Sequence, residues 1–378
     1  MDFANLPFDI DSMLHGLRRW VECESPSYDP HRVNEMMTLA AHDFAEAGGR
    51  VERIPGSGGF GDCIRVRFGD DGNSRPGILV LGHLDTVHPV STLEKLSWRR
   101  EDNRCYGPGI FDMKAGNYIA LEAMRQLKAA GQLPSLPVTF LLTSDEEVGS
   151  ASTRDLIEKE AAVHRYVLIP EPGRPDGGVV TGRYAIARFE LEAIGRPSHA
   201  GARLSEGRSA IRILADAIPV IEGMTDTDCT FSVGVIHGGQ WVNCVASTCT
   251  GEALSMAKRQ EDLDRGVARM LALNSGDEVS GRLIVKRSLT RPVWEANRRS
   301  MELYEMTRQL AKELGVDLNH ESVGGGSDGN FTGQLEHVAT LDGLGVQGAG
   351  AHTLNEHIFV DSLVTRGRLF AGLLATLS

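Results

Sequence analysis

Two apolar runs set the frame of this chain. "GILVLGHLDTV" (77–87) and "PVTFLLTSDEE" (137–147) are continuous enough in aliphatic residues to predict strands buried on both faces. Between them, "DMKAGNYIALEAMRQLKAAG" carries apolar residues at helical spacing, opens on an acid and stops at Gly131. Strand, helix, strand reads as a right-handed crossover in a mainly parallel sheet. "RYVLIPEPG" (165–173) predicts a further short strand that ends in a carboxylate. From about residue 184 the texture changes. "YAIARFELEAIG" and "CTFSVGVIHGG" alternate like antiparallel strands, with a helix expected from about Ser209 to Ile221. Near Pro292 the pattern returns to helix, strand, helix. The expectation is an α/β domain over 1–183, completed by 292–378. A smaller α+β domain is inserted over 184–291.

One apparent motif drops out. "GSGGFG" (56–61) matches the dinucleotide-binding glycine pattern, which requires a strand before it and a helix after it. "DCIRVRF" follows and reads as a strand, so the glycines predict a loop.

Composition mostly excludes. The 378 residues are 41% hydrophobic, ample for a core. A net charge of -12 argues against nucleic acid or an anionic membrane as the main partner. "MDFANLPFDIDSM" shows neither the basic region nor the apolar core of a signal peptide, and no apolar run is long enough to span a membrane. The six cysteines fit neither a disulfide framework nor a thiolate zinc site, and are expected as free thiols in a reducing cytoplasm.

The chemistry gathers at strand ends. His83 and Asp85 close one strand, and Glu146 and Glu147 follow the next. Glu171 sits in "IPEPG", Asp112 opens a helix after "YGPGIF", and His357 lies downstream in "GAHTLNEHI". Ligands of α/β sheets bind beyond the carboxyl ends of the strands, which places these residues at one edge. Two imidazoles with several carboxylates and no cysteine suit zinc, with manganese or cobalt as alternatives. The number of carboxylates suggests two ions sharing a bridging carboxylate and water. Asp112, Glu147, Glu171 and one hydroxide neutralise two divalent ions, which leaves Glu146 to work as general base. His88, His164, His320 and His337 are read as caps, turns or surface groups.

"GHLDTV", "GPGIFDMKAG", "TSDEEVGS", "EPG", "GRPSHAG", "GGGSDG" and "NEHI" occur in an order that resembles the co-catalytic zinc exopeptidases related to carboxypeptidase G, aminoacylase and peptidase T. The resemblance runs from about Leu81 to His357. It implies a zinc-exopeptidase catalytic domain, with the inserted domain serving as a lid and as the contact of a homodimer. It also implies roles. His83, Asp112 and Glu171 would bind one zinc, and Asp112, Glu147 and His357 the other, with Asp112 bridging. Asp85 would orient His83 through its second ring nitrogen, and Glu146 would be the base. A cis peptide bond would follow Asp112. His199 would stabilise the oxyanion, often from the partner subunit, and Arg291 would clamp a substrate carboxylate. Asn243 would touch substrate, and "GGGSDG" (324–329), with Gly326 and Ser327, would either offer backbone N–H groups to an anion or form a tight turn.

The implied reaction is hydrolysis of the amide bond of a peptide or N-acyl amino acid with a free carboxylate, in the manner of a glutamate carboxypeptidase. An amidohydrolase or deaminase of a small non-peptide amide or aromatic amine is the alternative, and a non-catalytic metal-binding protein is a third reading. The sequence departs from the family in the inserted domain. "NCVAS" lacks a proline that usually follows the asparagine, and "EALSMAKR" lacks an acidic-x-arginine strand. These departures bear on substrate preference and leave the metal-binding positions untouched.

Overall fold

The computed structural model describes residues 2–69, 76–277 and 279–378. Contacts divide the chain into two units: Met1–Gly182 with Trp294–Val323 and Ser327–Ser378, and Arg183–Val293 with Gly324–Gly326.

The first unit is built on a six-stranded sheet in the order Arg50–Ile54, Cys63–Phe68, Val138–Thr143, Ile78–His83, Tyr166–Leu168 and Ala339–Leu341. The last four strands run parallel, and the first two complete the sheet antiparallel. Ile78–His83 and Val138–Thr143 are buried at every position, which is why their sequences are predominantly apolar. Successive side chains on a strand point to opposite faces. Ile78 and Val80 therefore join one core, with Phe140, Phe44, Tyr118 and Phe370. Leu79 and Leu81 join another, with Leu141, Ile157 and Phe331.

The crossover helix spans Ala115–Ala129 and packs on the C-terminal helix Val360–Thr376. Gly131, at φ +66°, follows its end. Two close approaches fix the helix against the sheet. A Cβ on Gly82 would lie 2.1 Å from Asn117 Oδ1, and one on Gly116 would lie 1.8 Å from the Pro170 carbonyl oxygen. Asn117 uses the space to donate to the His83 carbonyl at 2.7 Å. His83 pairs in register with Thr143, so the two parallel strands end together. "GSGGFG" is the connection within the antiparallel pair Arg50–Ile54 and Cys63–Phe68, with no helix after it.

The second unit is an antiparallel five-stranded sheet in the order Cys229–Gly238, Thr248–Ala257, Ala185–Ile194, Gly281–Arg291 and Ser275–Asp277. Buried and less buried positions alternate along Ala185–Ile194, as the sequence pattern requires of a sheet with one buried face. Phe189 and Leu191 meet Leu214 and Ile221 of the helix Ala210–Glu222, and Leu263 and Met270 of the helix Gln260–Leu271. Ser209 caps the first of these by accepting from Arg212 N. All six cysteines are free thiols. Among the described residues no helix is long and apolar enough to cross a membrane.

Candidate metal centre

Beyond the carboxyl ends of the parallel strands, His83, Asp112 and Glu171 form one group of potential metal ligands. Asp112, Glu147 and His352 form a second. The groups share Asp112, which turns a different oxygen to each. Asp112 Oδ1 lies 3.4 Å from His83 Nε2, and Oδ2 lies 3.1 Å from His352 Nε2. Glu171 Oε1 is 3.7 Å from His83 Nε2, and Glu147 Oε2 is 3.1 Å from His352 Nε2.

The ring of His83 is oriented by its own turn. Its Nδ1 lies 3.0 Å from the Asp85 carbonyl oxygen, so Nδ1 carries the proton and donates. Nε2 then faces the carboxylates. His83 Nε2 and Asp112 Oδ1 are both buried without a hydrogen-bond partner. Native interiors rarely leave such atoms orphaned, and a metal ion is the partner that satisfies a nitrogen and an oxygen lone pair together. Nitrogen and oxygen donors in two triads that share a carboxylate fit divalent ions well.

The acidities carry the same message. Burial would depress His83, but Asp112, Asp85 and Glu171 outweigh it and hold the ring well above the ordinary histidine range. Hydrogen bonds to Asp112 and Glu147 push His352 up to about 11. Burial opposes ionisation of Asp112, yet His352 and His83 keep it below the usual carboxylate range. Burial and then the Asp112 charge raise Glu147, and the same two causes raise Glu171 strongly. Without a cation this cluster of negative charge stays neutral only by retaining protons.

Several side chains brace the site. The Asp85 carboxylate accepts from the backbone N–H groups of Glu146 and Glu147, each at 3.2 Å, and from Ser27 Oγ at 2.6 Å. Its Oδ1 is 3.4 Å from His83 Nδ1, farther than its own carbonyl oxygen. Asp85 thus meets the second ring nitrogen of His83 through its carbonyl oxygen, while its carboxylate clasps the turn that carries both glutamates. Asp145 closes the same turn by accepting from Ser152 N at 2.6 Å and from Thr153 Oγ1.

The second histidine of the site is His352, not His357. His357 Nδ1 donates to the Asn355 carbonyl at 2.7 Å, and its ring lies against Tyr106 and Phe359. Both histidines fall inside "GAHTLNEHI", and spacing alone does not choose between them. Chain direction does. His357 begins the short strand His357–Phe359, whereas His352 occupies the preceding turn at φ +63°. The peptide bond Asp112–Met113 is cis.

Two further residues were not singled out by the sequence. Glu356 is fully buried and accepts from Gly109 N at 2.9 Å, Phe111 N at 2.8 Å and Asp112 N at 3.0 Å. His88, read above as an ordinary histidine, lies 2.6 Å from the same carboxylate. A glutamate four positions after His352 was the available signal.

The remaining candidates lie elsewhere. In the second unit, His199 is exposed, and its Nδ1 accepts from Gly201 N at 3.2 Å and Ala202 N at 3.1 Å. Its proton is therefore on Nε2, which is a donor. Asn243 is beside it, with its carbonyl accepting from Ala200 N at 3.0 Å. Arg291 is buried at the end of its strand and runs along Gly326, where a Cβ would meet Arg291 Cδ at 2.7 Å. In the first unit, the Ser327 N–H is taken by Asn330 Oδ1 at 3.1 Å, and its hydroxyl donates to Asp342 at 2.7 Å. Ser327 thus belongs to a tight turn and does not hold its N–H out to an anion, which corrects the nest alternative at that position.

Two candidate triads that share a carboxylate, with Glu146 next to Glu147 on one turn, fit a metal-dependent hydrolase. The family model of peptidase family M20/M25/M40 matches residues 79–376, and the chain belongs to that family. It is 29% identical over 367 residues to carboxypeptidase G2 of Pseudomonas sp. (strain RS-16), covering 95% of this chain and 87% of that protein. It is 30% identical over 197 residues to acetylornithine deacetylase of Myxococcus xanthus, covering 48% of this chain and 50% of that one. The structure of aminopeptidase PepT from Bacillus cereus ATCC 10987 superposes with a TM-score of 0.73 at 23% identity, covering 97% of this chain and 98% of the other, and shares the fold.

Proposed function

We propose that this hydrolase uses two zinc ions to cleave the amide bond of a peptide or N-acyl amino acid bearing a free carboxylate. One observation carries the reading: Asp112 turns one oxygen toward His83 and the other toward His352. A carboxylate shared in this way suits a pair of ions bridged by it. The ligand positions are then His83, Asp112 and Glu171 for one ion, and Asp112, Glu147 and His352 for the other. Manganese or cobalt would satisfy the same donors.

When bound, the ions supply Lewis acidity to the scissile carbonyl and acidify the attacking water. Glu146 takes the proton of that water and returns it to the leaving amine. The clasp of Asp85 on the backbone of Glu146 and Glu147 supports this division of labour, because it fixes both glutamates on one turn. His199, as an Nε2–H donor, stabilises the oxyanion, and Arg291 binds the substrate carboxylate through its planar fork; both roles rest on the family resemblance. The names of carboxypeptidase G2 and acetylornithine deacetylase support an acyl–amino acid linkage as the bond cleaved. A preference for a glutamate or aspartate product, homodimerisation and a cytoplasmic location belong to the same reading.

The test is release of free amine from a panel of N-acyl amino acids and dipeptides by zinc-loaded enzyme, beside a chelated control. Chelator-sensitive cleavage is expected. No cleavage of any member by enzyme carrying two metals per chain overturns the reading.

A further inference from the structure

Beside Glu147 the first unit contains a cavity of ≈ 400 Å³ between the segments 26–29 and 86–90. That volume is in the range of small-molecule pockets. The two segments are tied together, not merely adjacent. Pro26 and Thr86 form a β-bridge, Ser27 N donates to the Thr86 carbonyl, and Thr86 N donates to the Ser25 carbonyl at 2.8 Å. Behind them, Glu24 accepts from Ser91 N at 2.7 Å and Leu93 N at 2.9 Å. The walls are therefore fixed before any ligand arrives.

Two polar side chains of the walls are turned to structural work. Ser27 donates to Asp85, and Asp29 caps the helix Pro30–Glu46 by accepting from Arg32 N at 3.1 Å. Pro26, Tyr28, Val87, Pro89, Val90 and Val148 supply the apolar lining, and among the described residues no lysine or arginine lines the cavity. Tyr28 is 79% exposed, with its ring centroid 6.0 Å from that of Phe60. An exposed aromatic ring at the edge of an apolar cavity is a surface on which another flat ring gains contact at little entropic cost.

We propose that this cavity holds the acyl side of the substrate, and that it selects a bulky uncharged group, best an aromatic ring, over a small or anionic one. The proposal rests on the reading of the chain as an acyl–amino acid hydrolase. Such a substrate has two sides about its scissile carbonyl. The side with the free carboxylate needs a cation, and among the described residues none lines this cavity. The acyl side needs none, and Glu147, a member of the second candidate triad, is one of the residues that line the cavity. Tyr28, Val87 and Val90 are the specificity residues.

The test measures binding apart from turnover. Metal-loaded Glu146→Gln protein is titrated calorimetrically with N-benzoyl-, N-acetyl- and N-succinyl-glutamate. The benzoyl compound is expected to bind about tenfold more tightly than the acetyl compound, with the succinyl compound weakest. Adding Tyr28→Ala or Val90→Asp, both at exposed positions, should remove most of the benzoyl advantage and leave acetyl binding unchanged. Equal binding of benzoyl and acetyl compounds, equal losses for both in Tyr28→Ala, or no binding of any of the three overturns the proposal. Hydrolysis by wild-type enzyme separates the two ideas. Selective binding without any cleavage keeps the cavity assignment and removes the hydrolytic one. Cleavage without acyl preference does the reverse.

Discussion

Glu356 Oε1 accepts the backbone N–H of Asp112 at 3.0 Å. The two residues are far apart in sequence, and one belongs to both candidate triads while the other is fully buried. Glu356 also follows His352 by four positions, so a single carboxylate ties the segment holding one ligand to the segment holding another. Its remaining partners, Gly109 N, Phe111 N and His88, are all near Asp112 or the strand end of His83. A charged acceptor with this many donors holds the turn more firmly than neutral bonds would.

Glu356→Gln keeps the size of the side chain and loses the charge. Metal binding should weaken by about 10–100-fold, the usual consequence of loosening a ligand's support. Chelator competition measures it, and unchanged affinity would show that the turn holds its shape without Glu356.

His352 and His357 separate cleanly by metal content. His352→Ala removes a member of the second triad, so one metal per chain should be lost and activity should fall by more than the about 100-fold typical of a supporting residue. His357→Ala removes a ring that packs on Tyr106 and Phe359, and should leave metal content intact with only a modest drop in melting temperature. Elemental analysis of both variants decides; the opposite pattern would return His357 to the site.

Glu146→Gln should lower turnover by about 10²–10⁴-fold while two metals remain bound. Equal activity in that variant removes Glu146 as the base.

Metal loading should release protons. In the metal-free protein the His352 ring is held protonated up to about 11 against an unperturbed 6.5. A raised histidine stabilises the folded state below 6.5, and that contribution fades as pH climbs through about 11. The contribution is modest, because the ring is half-exposed. A metal binds the neutral ring, so between these limits it must displace the proton, and its apparent affinity rises with pH. His83 and Glu171, both raised, add to the count. Calorimetry at pH 7.5 in two buffers of different ionisation enthalpy should report more than one proton released per chain. A buffer-independent heat would contradict it.

The sequence made the parallel sheet legible because Ile78–His83 and Val138–Thr143 are buried on both faces and are therefore rich in aliphatic residues. It made His83, Asp112, Glu147 and Glu171 legible because each stands at the end of a strand or the start of a helix at one sheet edge. His352 escaped because it lies in a turn, where no periodicity marks which side chain faces inward. Glu356 escaped because its function is expressed entirely through backbone N–H groups, which have no sequence signature. The cavity by Val87 and Tyr28 joins two segments distant in sequence, and only the fold brings them together.

Gly116 offers a prediction about how closely that fold is tuned. It sits one residue inside the helix that follows Asp112, facing the Pro170 carbonyl, and Pro170 precedes Glu171 of the first candidate triad. A Cβ at 1.8 Å from a backbone oxygen has no room, and the oxygen cannot swing aside as a flexible side chain would. Gly116→Ala gains helix propensity of about 1 kcal/mol, yet it must push the helix and the Pro170 turn apart. Overpacking of this kind costs about 1–3 kcal/mol, so the clash should win and the melting temperature should fall. The displacement separates Asp112 from Glu171, so metal affinity at the first triad should fall as well. Thermal melts of the metal-free and metal-loaded variant check both parts. A metal-free protein as stable as wild type would show that the helix can shift without cost, and that the glycine does not set the spacing of the site.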